Sequence, residues 1–467
     1  MKNNNKLNVF FRNMAIFVMI LSIFCLCGCT GAPKTTGYRS GIGKWEIGFA
    51  SDEISIPESE EPLYIAGYKG GREIEGVLDL QKVSAVWLEV AGKGILLIGV
   101  DCVGLGSDTI KKIRNGLSTF CKNNNCISVN VYSTHTHAGI DTLGLWGPAG
   151  VDGKNEDFMN ELVDTAITVA KLAHKDKSEG KVYYGETKTE DLLIDSREPV
   201  EFDSTLRQFR FVSDSDSKNG VRLFSYSAHA ESLRGDNLLV SRDFPGYMCD
   251  KVSELSGDDC MFMPGAIGGL IMTKELLEPF SALANMEQTG ELLAGLAMGI
   301  SNEVEVSAEI GLESTTLWLP LDNNVFLYYR FLGILGNNIR EGIGKTGYDL
   351  QTEIGVLRLG DYTLVLMPGE IFPELVSGEG LDESDPIALE KLAKNYGLKN
   401  LIIIGLCNDE IGYIVPPSNY LINPDSPYLE GIEDETGENH YEETNSVGED
   451  TAVCLAEAFD ALFKKFK

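Results

Sequence analysis

The 467-residue chain carries 39 Lys+Arg against 70 Asp+Glu, a net charge of −31. That balance disfavours nucleic acid and a basic membrane-binding surface, because affinity for phosphate comes from clustered Lys and Arg. Hydrophobic residues at 43% with 23% charged exclude an acidic disordered chain and fit a folded globular protein.

In chain order the first feature is a leader. Lys2, Lys6 and Arg12 precede an apolar run from Met14 to Cys27, shorter than the ~20 residues a spanning helix needs and arranged like a signal peptide. Leu26-Cys27-Gly28-Cys29 resembles a bacterial lipobox. Residues 1–28 are therefore expected to be removed and Cys29 to carry a lipid, holding the protein on the extracytoplasmic face of the cell membrane. An uncleaved anchor helix or a plain signal peptide is the alternative. Residues 29–45, rich in Gly, Thr and Lys, read as a tether.

Residues 46–467 are expected to form one large α/β domain on mixed β-sheets with flanking helices. Strand-like segments fall at 85–90, 94–100, 127–133, 207–212, 221–227, 353–359, 362–367 and 401–405. Helix-like segments fall at 107–122, 155–174, 244–255, 287–302, 386–396 and 448–466. Asn219-Gly220 between two apolar strands predicts a hairpin, so the sheet is not wholly parallel. The acidic stretch 423–443 breaks the alternation and reads as a solvated loop or as a lid over a site.

Ten cysteines are present, three of them in the leader region. The remaining seven are an odd number and include no CxxC pair, which removes a zinc-ribbon reading. Cys121 with Cys126 and Cys249 with Cys260 have spacings that allow small closed loops; buried free thiols are the alternative.

Histidine is scarce, at five residues, so its placement is informative. Ser133-Thr134-His135-Thr136-His137-Ala138-Gly139 follows directly on the apolar strand that ends at Tyr132. If the extension continues, His135 and His137 project from one side of the chain. Two imidazoles there suit a metal site, or a ligand beside an acid/base; a hydrogen-bonded core pair is the bland reading. Three other strand ends carry His229, Pro368-Gly369-Glu370, and Asn408-Asp409-Glu410 followed by Tyr413. Ligands of open α/β sheets sit beyond the carboxyl ends of strands, so these groups are expected to meet in one crevice. Three N/O ligands with an open position match catalytic zinc. Gly342-Ile-Gly344-Lys345-Thr346 fails as a phosphate loop because Ile339 stands where the first glycine belongs. His174, near a predicted helix end, reads as solvated.

These residues resemble, in order and spacing, the neutral/alkaline non-lysosomal ceramidases, zinc amidases that hydrolyse the N-acyl bond of sphingolipids. Thr134-His135-Thr136-His137-Ala138-Gly139 is similar to the family's THTHSG. Ser196-Arg197-Glu198-Pro199, Pro368-Gly369-Glu370, the Asn408…Tyr413-Ile414…Tyr420 run and His440-Tyr441-Glu442 resemble later landmarks. The resemblance implies a Zn²⁺ held by His135, His229, Glu370 and, more weakly, Tyr413, with His137, Arg197 and Tyr441 as catalytic groups. It implies an N-acyl amide of a lipid or amine as substrate, with Gly265 and Tyr420 near it. Three departures stand out. Gly265 occupies the position of the family's serine, Ile140-Asp141-Thr142-Leu143 replaces glycines after THTHSG, and the chain ends after one helix where full-length ceramidases add an immunoglobulin-like domain. Gly265 favours a second reading, a lipid-anchored protein that binds an acyl ligand without turnover.

Overall fold

Side chains of a strand alternate between its faces, so a strand whose every position is apolar must be covered on both sides. The run 85–88 inside Lys82–Val90 shows this: Val86 and Leu88 pack into one core while Ala85 and Trp87 pack into another. The computed structural model describes residues 35–58, 61–189, 192–434, 437 and 439–467. The leader and Cys29 lie outside them.

Two mixed sheets dominate. The first half of the chain contributes β1 (Thr35–Arg39), β2 (Trp45–Glu53), β3 (Lys82–Val90), β4 (Lys93–Val100) and β5 (Cys126–Ser133). Then come β6 (Ser178–Lys188), β7 (Thr205–Ser213), β8 (Val221–Tyr226), β9 (Asp259–Pro264) and β10 (Val304–Val306). The last group is β11 (Ile310–Leu321), β12 (Ile339–Glu341), β13 (Tyr348–Leu359), β14 (Tyr362–Leu366) and β15 (Leu401–Ile404). One sheet has nine strands in the order β9-β8-β7-β6-β2-β3-β4-β5, with β10 paired to β6; the other has six, β1-β11-β13-β14-β15, with β12 paired to β13. The pairs β4–β5, β8–β9 and β14–β15 are parallel, which makes both sheets mixed as expected.

The sheets stack face to face. Trp45, Ile47 and Leu88 of the first meet Leu357, Leu364 and Ile404 of the second in one buried layer. Helices cover the outer faces. α1 (Ser107–Asn123) and α2 (Glu156–Asp176) bury Ile110, Leu117 and Phe158 against Trp87 and Val131. α3 (Asp243–Ser256) and α4 (Ala282–Met298) cover the β7–β9 end of the same face. On the far side the last helix, Thr451–Lys464, lays Leu455, Phe459 and Phe463 over Ile354, Val356 and Val365. Among the described residues no helix is long and apolar enough to cross a membrane.

Several expectations need correction. The middle of the supposed tether is a strand: β1 pairs antiparallel with β11, and its backbone groups complete a sheet edge. β7 and β8 do form an antiparallel pair, but β7 runs to Ser213 and Val221 faces Phe211, so the connection is a loop over 214–220 and not an Asn-Gly turn. The helix expected at 287–302 begins at Ala282 and stops at Met298, before Gly299. His174 is packed edge-on against Trp87 and Phe120 instead of being freely solvated. All seven cysteines of the described residues are free; Cys121 and Cys126 are close enough to influence each other's ionisation, as are Cys249 and Cys260.

Candidate metal centre

The carboxyl ends of β5 and β8 in one sheet, and of β14 and β15 in the other, open toward the same place. Beyond β5 and β8 the chains stay joined by an isolated parallel bridge, Thr136 with Ala230, and by the His137 N–H to Ala230 carbonyl bond of 2.9 Å. This sets His135 and His137 beside His229 and Glu231. Beyond β14 and β15 a short parallel pair places Glu370 directly opposite Tyr413. Four strand ends thus bring together four of the residues expected from the sequence, with His137 alongside.

The extension does not run unbroken through the histidine pair. β5 ends at Ser133, and His135 has φ +64°, a left-handed conformation that costs of order 1–3 kcal/mol in a non-glycine residue. The turn nevertheless brings the two rings together, with His135 Nε2 and His137 Nε2 only 3.1 Å apart.

The nitrogens facing the centre are assigned by their partners. His135 Nδ1 lies 2.6 Å from the Val103 carbonyl and His229 Nδ1 lies 3.1 Å from the Ile271 carbonyl. A carbonyl only accepts, so each Nδ1 carries the proton and each Nε2 offers a lone pair. Those lone pairs point at acceptors. His229 Nε2 is 3.0 Å and His135 Nε2 3.4 Å from Glu370 Oε2. Acceptors facing acceptors repel unless a cation lies among them. Zn–N arms of 2.0–2.1 Å at tetrahedral angles separate ligand atoms by roughly 3.3–3.4 Å, so the spacing fits a bound metal. His135, His137 and His229 can each present a nitrogen within 4.8 Å of the others. His135 is 4% exposed and His229 fully buried, so little water competes for them.

His137 has a different surround. Its Nδ1 has no hydrogen-bond partner among the described residues, but Glu231 Oε2 stands 3.5 Å away, and Tyr68 donates its hydroxyl to the same oxygen at 2.7 Å. Asp243 holds this loop by accepting the Ser232 and Leu233 N–H groups. Burial, reinforced by His135 and His229, lowers the His137 pKa well below its ordinary value, so the ring is neutral at pH 7. Gly67 makes room for His137: at φ +99°, an added Cβ would lie 2.4 Å from His137 Cγ. Gly67→Ala is expected to cost about 1–3 kcal/mol in stability and to displace the His137 imidazole, as melting and the histidine NMR signals would show.

The centre opens into a cavity of about 590 Å³, within the usual range for ligand sites. Leu143, Leu145, Phe326, Leu335 and Leu350 supply its apolar wall, and Tyr428 and Leu429 of the acidic stretch close one side. The expected lid segment is therefore part of the wall. Tyr441 also lines the cavity, its ring edge-on to that of Tyr413 with centroids 6.3 Å apart.

Other expected site residues lie elsewhere. Arg197 does not line the cavity; its guanidinium binds Glu442 and the Asn439 carbonyl, with its carbon 5.9 Å from the Tyr441 ring centre. Gly265 is buried off the cavity wall, where a Cβ would meet Ser227 Oγ at 2.2 Å, so the family's serine could not stand there without displacing Ser227. Tyr420 is also off the wall, bonded to Ser446 Oγ at 2.6 Å. Sequence reasoning missed Glu231, Tyr68 and Gly67. Only Glu231 left a trace, as the alternating His229-Ala-Glu231 just past a strand end.

No family model matches the chain, and no curated protein does either. Solved structures do match. The neutral ceramidase from Pseudomonas aeruginosa superposes with a TM-score of 0.70 over 90% of this chain and 74% of that one, at 16% identity. A ceramidase complexed with C2 gives 0.69 over 90% and 75%, also at 16%. The chain has the fold of the neutral ceramidases.

Proposed function

We propose that the protein is a zinc-dependent hydrolase of an N-acyl amide, acting on a lipid or N-acyl amine with an apolar acyl chain. The observation that carries this reading is the convergence of His135, His229 and Glu370 at metal-ligand spacing, with His135 and Glu370 on the wall of a cavity that apolar side chains line on one side. His135, His229 and Glu370 would hold the metal, with Tyr413 as a weaker fourth group. Zinc so held supplies a Lewis acid for the carbonyl and lowers the pKa of water from 15.7 to about 7.

The chain's own groups do the rest. His137, neutral and beside the centre, takes the proton of the attacking water at Nε2 and returns it to the leaving nitrogen. Glu231 orients that ring and stabilises it while it is charged. Tyr441 donates its hydroxyl to the developing oxyanion. Arg197 acts through Tyr441, holding Glu442 and the adjoining backbone. The apolar walls take the acyl chain. In the cell, Cys29 would tether the enzyme to the extracytoplasmic face of the membrane. A binding protein without turnover loses its support, because Gly265 is not at the cavity wall.

Glu231→Gln is expected to lower kcat by at least about tenfold with the metal retained, since an orienting carboxylate is lost and no ligand is. Fatty-acid release from N-acyl amines, N-acyl amino acids and sphingoid lipids tests the function itself. Hydrolysis of at least one class is expected; none, with zinc bound, overturns the reading.

A further inference from the structure

Glu410 is the acidic side chain on the cavity wall that the proposed chemistry leaves unused. It lines the same cavity as His135, Glu370 and Tyr413. One of its oxygens is committed locally, with Oε1 accepting the Gly412 N–H at 2.9 Å. The other, Oε2, is shut off from solvent and has no hydrogen-bond partner among the described residues. Its stem is closely fitted, since a Cβ on Gly104 would lie 2.8 Å from Glu410 Cγ. Neighbouring Asp409 shows the contrast, because it is saturated by the Ser107 N–H, Asn337 Nδ2 and the Thr352 hydroxyl. A buried polar oxygen left unpaired inside a well-packed wall calls for a partner that arrives with the ligand.

We propose that Glu410 is a specificity-determining residue that binds a hydroxyl or ammonium group carried by the substrate close to the scissile amide. The inference rests on the amidase reading for the position of that bond. Glu410 stands three residues before Tyr413 and lines the cavity together with His135, His137 and Glu370, so the group it meets sits on the side of the reacting centre and not at the far end of an acyl chain. Buried carboxyls are tolerated when neutral or balanced by a cation. A neutral carboxyl hydrogen-bonds a hydroxyl, and a carboxylate pairs with an ammonium. Both substrate types share one requirement, a polar hydrogen-bonding substituent that a plain alkyl amine lacks.

The test uses matched amides of one acyl chain: N-acyl propylamine, N-acyl ethanolamine, mono-N-acyl ethylenediamine, and a 2-hydroxyacyl propylamide. Turnover is measured in the wild type. Binding is measured separately, by displacement of a fluorescent fatty acid from the His137→Ala protein. The wild type is expected to favour at least one polar member over N-acyl propylamine by about tenfold or more, the equivalent of one net hydrogen bond. Glu410→Leu should erase that preference. Glu410→Gln, which keeps an acceptor for the Gly412 N–H, should retain preference for a hydroxyl and lose it for ammonium, and it serves if the leucine variant does not fold. The proposal is overturned if the wild type does not discriminate, or if Glu410→Leu, or Glu410→Gln on the ammonium amide, keeps the wild-type ratio. Discrimination in binding without any fatty-acid release would sink the amidase reading and leave Glu410 standing; release without Glu410-dependent discrimination does the reverse.

Discussion

Replacing His137 with alanine is expected to lower kcat for fatty-acid release about 10²–10⁴-fold, the range for loss of a positioned general base, while the metal stays bound. The two parts of that expectation separate base from ligand. His137 Nε2 is 3.1 Å from His135 Nε2, so geometry alone would let it coordinate. Its surround argues otherwise. Its Nδ1 faces Glu231 across 3.5 Å, and its ring makes an edge-on contact with Tyr68. No backbone carbonyl holds it as Val103 and Ile271 hold the other two rings. A base must change protonation during turnover, and a carboxylate behind it stabilises the charged form that results. Metal content and kcat measured on one preparation decide the point. Parallel loss of both would make His137 a ligand and contradict its assignment as base.

The second large effect is expected from Glu370→Ala. Glu370 is 6% exposed, and its Oε2 faces both His135 and His229. Removing it takes away the one anionic ligand among the three expected at the metal and leaves two neutral imidazoles. Zinc affinity should fall by more than the 10–100-fold typical of losing an outer-shell partner, and activity should fall with it. Stability offers an independent readout. Metal present at 1,000 times its Kd stabilises a protein by about 4 kcal/mol. A chelator should therefore lower the melting temperature of the wild type and leave that of the variant nearly unchanged. An equal shift in both would place the metal elsewhere.

Where a segment carried its own pattern, the sequence was enough. The run into Ser133-Thr134-His135 announces a buried strand and then a change of chemistry, and the same holds at His229 and Glu370. β11 was not legible, because Glu313-Ser314-Thr315-Thr316 interrupts its apolar residues and only pairing with β1 and β13 makes it a strand. The short helix Asn324–Leu332 carries four aromatic residues in nine and shows no clear helical period. Glu231 and Tyr68 belong to the centre through tertiary contact alone: one bridge sets Ala230 beside Thr136, and a loop far earlier in the chain brings Tyr68 onto Glu231. Arg197 and Gly265 were assigned from family motifs. Motif order locates a segment but not the direction of its side chain, and here Arg197 is occupied by Glu442 while the space beside Gly265 is filled by Ser227.

Hydrolysis is expected to depend on a metal centre formed by His135, His229 and Glu370. Elemental analysis of the purified protein beside its His135→Ala variant tests this most directly. About one equivalent of zinc per chain is expected in the wild type, as for a three-ligand catalytic site, with little in the variant. Amide hydrolysis should be lost on chelation and regained when zinc is returned. Less than about half an equivalent in the wild type, unchanged by His135→Ala, would contradict the account.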